Sequence, residues 1–189
     1  MIDIDVLGSY NTFKAVFPHL LKSASTNPSA STGTGSVGGR IVFISATIHY
    51  TGAPLQTHVV VAKSGIDALS ANIAIEYGPL GLTSNVIAPG PIGGTEGMER
   101  LSRSENAKAS MKRIPLGRWG RVKEIADATV WLLSDAASYV NGETVVVDGG
   151  AWRTSSVGGR GSGFDYPDFL LGGGVVEGVK GGKRETAKL

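Results

Sequence analysis

Apolar residues recur along this chain at two different spacings. From Gln56 to Tyr77 they fall at Val59, Ala62, Ile66, Leu69, Ile73 and Ile75 or Tyr77. That is close to the helical period and predicts a helix laid along a sheet, with Lys63 in its middle. Ile2, Val6, Tyr10, Phe13, Phe17 and Leu20 or Leu21 are spaced alike and predict one long helix over Ile2 to Lys22, kinked or ended near Pro18. Arg40 to Ser45 is instead an unbroken apolar, β-branched run, the pattern of a strand covered on both faces. Leu82 to Ile87 and Thr144 to Asp148 read the same way. Arg100 to Lys112 predicts a mobile helical segment, and Val122 to Leu133 a firmer helix with Glu124 near its start.

Helix, strand, helix, strand, helix, strand is the order of parallel crossover units. The predicted fold class is therefore α/β: half of a doubly wound, Rossmann-like sheet of three parallel strands with flanking helices. Residues 1–154 form this domain. Ser23 to Gly39, built almost wholly of Ser, Thr, Gly, Asn and Pro, is expected to be a flexible surface insertion, and 155–189 a Gly-rich tail.

Composition narrows the function classes. A net charge of +2 with no stripe of Lys and Arg argues against a nucleic-acid partner, and no apolar run reaches membrane-span length. With no cysteine, thiol chemistry and Cys-based metal sites are excluded, and His19, His49 and His58 have no metal-ligand spacing. Met1 is not followed by a basic and apolar leader.

Ligands of open parallel sheets bind beyond the carboxyl ends of the strands. There this chain places the loop from Ala46, the loop Ala88 to Thr95, and the segment after Asp148. In Pro89-Gly90-Pro91-Ile92-Gly93-Gly94-Thr95 the prolines fix the backbone and the glycines admit close approach of a flat ligand. The same residues also suit a plain strand-to-helix connection. Lys63 likewise has two readings, a stem packed on the sheet with its ammonium in water, or a functional cation.

Ile41-Val-Phe-Ile-Ser45, the helix bearing Ala62-Lys63-Ser64, Ser84-Asn-Val-Ile-Ala-Pro-Gly90 and Val146-Val-Asp-Gly-Gly150 stand in the order and spacing found in the C-terminal half of short-chain dehydrogenase/reductases. The resemblance covers about Ile2 to Trp152. Within that superfamily, Met1-Ile-Asp-Ile-Asp5, Leu55-Gln-Thr-His58, Pro89 to Gly97 and Asp148-Gly-Gly-Ala-Trp152 resemble the peroxisomal 2,4-dienoyl-CoA reductases. The terminal Ala187-Lys188-Leu189 is similar to a peroxisomal address that an import receptor reads.

Most members of the superfamily place a tyrosine four residues before the lysine as a general acid, and a serine one loop earlier. Here those slots hold Val59 and Ala46, neither able to donate a proton. The dienoyl-CoA reductases are similar in lacking that tyrosine. The resemblance implies an NADPH-dependent reduction of 2,4-dienoyl-CoA to 3-enoyl-CoA. Lys63 would hold the nicotinamide ribose and stabilise a developing dienolate. Asp5, which stands where asparagine is usual, would pair with Lys63 or deliver a proton through water, although a helix-start aspartate favoured by the dipole is the plainer reading. Asp67 is expected to be a simple i,i+4 partner of Lys63. Pro89 to Thr95 would line the carboxamide, with Thr95 offering its hydroxyl, and Arg100 would meet the acyl-CoA.

The superfamily's T-G-x-x-x-G-x-G pyrophosphate turn is not found in the sequence. Roughly a hundred residues of strand–helix units are expected to be missing before Met1, which would leave Ile41 to Ser45 as an open edge. Two other functions stand beside the reductase. One is an ordinary alcohol or 3-oxoacyl reductase. The other is a catalytically silent fragment acting as an oligomer partner through helices 2–22 and 57–77.

Overall fold

The computed structural model describes residues 1–26, 38–53, 55–101 and 107–154, without the side chains of 99–101 and 107–109. The greater part of the Ser23–Gly39 insertion, the tail from 155 and its terminal tripeptide therefore lie outside the described residues.

Three parallel strands, β1 (Gly39–Ile44), β2 (Leu82–Pro89) and β3 (Thr144–Val147), are ordered β1-β2-β3. In register, Phe43 sits beside Val86, and Ile87 beside Val145. One face is covered by α1 (Gly8–Thr26) and α3 (Thr57–Tyr77), where Phe13, Phe43, Ile66, Ile73 and Val86 form the core. Phe13, Phe17 and Tyr77 pack with ring centroids 4.6–5.4 Å apart, so Tyr77 ends the apolar stripe, while Ile75 is 77% exposed. The opposite face belongs to α6 (Val122–Leu132), with Leu132 against Ile87 and Ala137. Alternate residues of β1 serve the two layers: Ile41 and Phe43 face α1 and α3, and Val42 faces α6.

β2 is buried from Leu82 to Ala88, as a central strand between two helical layers must be. Its polar residues are paired. Ser84 Oγ meets Ser70 Oγ at 2.8 Å, and the Asn85 amide donates to Val140 O (2.8 Å) and accepts from Glu143 N (3.0 Å), tying β2 to the entry of β3. β1 is covered by helices on both faces, as expected; lying at the edge of the sheet among the described residues, it leaves Ile44, at its carboxyl end, 45% exposed.

The first helix departs from expectation. Ile2–Leu7 winds as a π-helix, its last turn closed by Gly8 N–H donating to Asp3 O, before α1 continues as an α-helix through Pro18 to Thr26. After β1 a short α2 (Ile48–Thr51) interrupts what the sequence presents as loop. The segment Arg100–Lys112 is divided between α4 (Glu96–Leu101) and α5 (Ala107–Lys112), and α7 (Ala151–Thr154) follows β3.

Candidate functional site

Beyond the carboxyl end of β1 the backbone stays joined to β2: Ser45 N donates to Ile87 O (2.8 Å) and Thr47 N to Pro89 O (2.9 Å). Ser45 Oγ donates to the Lys63 carbonyl (3.3 Å), which holds that turn of α3 against the strand end. The Lys63 stem runs back towards β1, and its ammonium donates to Ile44 O and to Asp5 Oδ1, each at 3.3 Å. Asp5 reaches it from the π-helix. Gly65 admits that segment, because a Cβ there would lie 2.9 Å from Val6 Cγ2.

Only 17% of the Lys63 side chain and 18% of the Asp5 side chain is exposed. Asp5 Oδ2 is buried and has no partner. A desolvated ion pair with one open acceptor is a poor device for stability alone, since desolvation offsets most of the attraction. It suits a ligand hydroxyl that can donate to Oδ2. The helix-start reading of Asp5 as an exposed residue is thus not what the fold builds.

The loop after β2 supplies the other side. Gly90 N donates to Val147 O (3.0 Å), and a Cβ on Gly90 would lie 2.9 Å from Asp148 Cα, so this backbone sits flush against the segment after β3. Gly93 N donates to Gly120 O (3.0 Å) and Gly120 N to Pro91 O (2.9 Å), clamping the loop about buried Ile92. Gly94 turns with φ +70°. Thr95 Oγ1 donates to Ile92 O (2.8 Å) and accepts from Met98 N (3.4 Å), so its hydroxyl caps α4. Arg100 is on α4, with its side chain outside the described residues.

Between these loops opens a cleft of 310 Å³, within the range of small-molecule sites. Pro89, Gly90 and Pro91 form one wall; Ala46, Val59 and Trp152 are among the residues facing them. The two slots that carry a serine and a tyrosine in most of the superfamily are therefore in the cleft, and both are aliphatic. A substrate carbonyl lying there meets no side-chain proton donor at either position.

Asp67 does not pair with Lys63. The Lys63 stem is committed to Ile44 O and Asp5, and Asp67 Oδ2 accepts instead from His49 Nε2 (2.7 Å) and Tyr50 OH (3.0 Å). Sequence reading missed both partners, since eighteen residues separate His49 from Asp67 and α2 gives no periodic signal. It also missed Arg118, whose guanidinium is paired with Glu124 at 2.6 Å. That contact, with the Arg121 backbone N–H, lowers the Glu124 carboxyl to a pKa of about 2. Among the described residues no group of three His, Cys, Asp or Glu side chains could hold a metal, and no helix is long and apolar enough to cross a membrane.

The open acceptor of Asp5, the ammonium of Lys63 and the flush backbone at Gly90 fit the ribose and carboxamide end of a nicotinamide. The T-G-x-x-x-G-x-G turn that would seat the pyrophosphate does not occur in the sequence.

A family model described as enoyl-(acyl carrier protein) reductase matches residues 1–151. The chain is 46% identical over 171 residues to a peroxisomal, (3E)-enoyl-CoA-producing 2,4-dienoyl-CoA reductase of Saccharomyces cerevisiae, covering 90% of this chain and 53% of that protein. It is 43% identical over 158 residues to its namesake from Danio rerio, covering 82% and 48%. Among solved structures, a Brucella melitensis 3-oxoacyl-[acyl-carrier protein] reductase with bound NAD superposes with a TM-score of 0.64 at 28% identity, over 80% of this chain and 50% of that one. The chain thus spans about half the length of the curated relatives it matches.

Proposed function

The chain belongs to the short-chain dehydrogenase/reductase family, and from that premise we propose that it is the Lys63-bearing half of an NADPH-dependent 2,4-dienoyl-CoA reductase of the peroxisome, forming 3-enoyl-CoA. One observation carries the reading. A buried Lys63–Asp5 pair stands one helical turn beyond Val59, and Val59 lines a cleft in which the Tyr and Ser positions are both aliphatic. A ketone reductase needs a proton donor on the carbonyl oxygen, and Val59 and Ala46 offer none. Reduction of a conjugated dienoyl thioester instead leaves the charge on an extended dienolate, whose carbon is protonated afterwards.

When bound, the nicotinamide supplies hydride; the residues of this chain do the rest. Lys63 binds the ribose hydroxyls and adds positive charge beside the developing dienolate, where exclusion of water strengthens it. Asp5 Oδ1 orients the ammonium, and Oδ2, the open acceptor, accepts from a ribose hydroxyl or holds a water that returns a proton to carbon. Pro89 to Gly94 present backbone groups to the carboxamide. Arg100, on α4 beyond that loop, would meet the CoA phosphates.

The reading extends to assembly. Ile4, Leu7 and Tyr10 on the first helical segment, and Val61 and Ile75 on α3, are exposed, which suits a homo-oligomer formed through these helices.

The test joins this chain to the N-terminal half of the Saccharomyces relative and follows NADPH oxidation. Turnover of 2,4-decadienoyl-CoA to a 3-enoyl product, lost in Lys63→Ala, is the expected result. Equal or faster turnover of a 3-oxoacyl-CoA would overturn the assignment.

A further inference from the structure

A second knot of titratable side chains lies beside α3, apart from Lys63 and Asp5. One oxygen of Asp67, Oδ2, accepts both the His49 Nε2–H at 2.7 Å and the Tyr50 hydroxyl at 3.0 Å. The His49 and Asp67 side chains are 7% and 19% exposed, and Asp67 Oδ1 and His49 Nδ1 are buried without partners. Burial first, and the Asp67 carboxylate after it, push the Tyr50 phenol up to about 12, so it stays a donor at any physiological pH. A desolvated carboxylate with half of its acceptors unused stabilises a fold less than an apolar side chain of similar size would. The arrangement calls for another explanation.

The position of α2 provides it. This single turn has two faces: Ile48 and Thr51, three residues apart, line the cleft, while His49 and Tyr50 between them turn to Asp67. The Tyr50 ring packs at a tilt against His49 at 4.0 Å and against Trp152 at 5.6 Å, and Trp152 is itself in the cleft wall. On α3, Val59, Lys63 and Asp67 follow one another at i, i+4 and i+8, so one rigid helix carries the cleft floor, the cation and the acceptor.

We propose that Asp67 is a positioning residue which, by gripping His49 and Tyr50, sets the apolar wall of Ile48, Thr51 and Trp152 and thereby selects the acyl chain of the substrate. The proposal rests on the acyl-CoA reading given above. The reacting end lies beside Val59 and the loop from Pro89, two turns of α3 from Asp67. Carbons further along the acyl chain meet the braced wall. Loosening it costs contacts with those carbons and spares the reacting end.

The test compares the parent chain with Asp67→Ala, the near-isosteric Asp67→Asn and Tyr50→Phe, reading two signals. The first is the Trp152 resonance in the 5-fluorotryptophan-labelled chain, with Trp131, exposed on α6, as internal reference. The second is the dissociation constant for hexanoyl-CoA and decanoyl-CoA. A buried methylene is worth roughly fourfold in affinity, so loss of two of them lowers the decanoyl preference by about fifteenfold in Asp67→Ala, with hexanoyl-CoA within about twofold of the parent. Asp67→Asn, which keeps an acceptor, should recover part of this, and Tyr50→Phe, which keeps the ring on Trp152, should lose less. Trp152 should shift and Trp131 should not. An unmoved Trp152, or equal weakening for both acyl chains, overturns the proposal. A parent chain that binds neither ligand while Trp152 still shifts upholds the brace and removes the acyl-CoA reading.

Discussion

Replacing Lys63 by Met tests the Lys63–Asp5 pair without any assay of turnover. The substitution keeps most of the stem and deletes the ammonium, leaving the Asp5 carboxylate buried with Oδ2 already unpartnered. Removing one member of a fully buried pair costs roughly 3–5 kcal/mol. Here 17% and 18% of the two side chains still reach solvent, which screens the orphaned charge, so a loss of about 2–3 kcal/mol is expected. With a urea slope of about 2 kcal/mol/M, the unfolding midpoint should fall by about 1–1.5 M. Deleting the stranded charge as well, in Asp5→Leu with Lys63→Met, should bring stability back to within about 1 kcal/mol of the parent. Circular dichroism in urea gives all four corners of the cycle. A neutral Lys63→Met, or a double variant as unstable as the sum of the two singles, would refute a coupled, desolvated pair.

Gly90→Ala places a methyl group against Asp148 and should cost about 2 kcal/mol, measured by the same unfolding curves, while Gly97→Ala, with open space around it, should not. Glu124 is depressed to about 2 by Arg118, so the stability it contributes is complete above its unfolded value near 4.5 and is lost as pH falls towards 2. The acid limb of a melting-temperature profile should therefore be shallower in Glu124→Gln than in the parent. The chain on its own, with no pyrophosphate turn, should bind NADPH more weakly than about 10 μM by calorimetry, and a micromolar or tighter constant would count against that expectation. Size exclusion should show association, because among the described residues β1 ends the sheet with one side unpaired.

What could be read from the residues and what could not divide along physical lines. The parallel order of β1, β2 and β3 follows from apolar runs separated by helical periods, which are local signals. Lys63 and Asp5 were recognisable as a pair because both stand in short motifs. Helical spacing favours Asp67 as an i,i+4 partner of Lys63, yet the Lys63 stem folds towards Ile44 O, and a histidine from the single turn of α2 takes its place. Side-chain direction is settled by the strand end, which periodicity does not describe. The hydroxyl of Thr95, offered by sequence to a ligand, is used to cap α4. In Ser84-Asn85 the motif was visible, but its structural work, joining β2 to Ser70 and to the entry of β3, depends on residues 14 to 58 positions away.

The wide winding of Ile2–Leu7 has a consequence for how this pocket can be altered. A π turn holds one residue more than an α turn, so deleting a single residue between Asp3 and Leu7 offers the backbone ordinary winding. Residues ahead of the turn would keep their place, while Asp5, inside it, would have its side-chain direction reset relative to the Lys63 ammonium. Length, as much as residue type, tunes this site: one codon removed could disarm it while every side chain of the cleft wall stays in place.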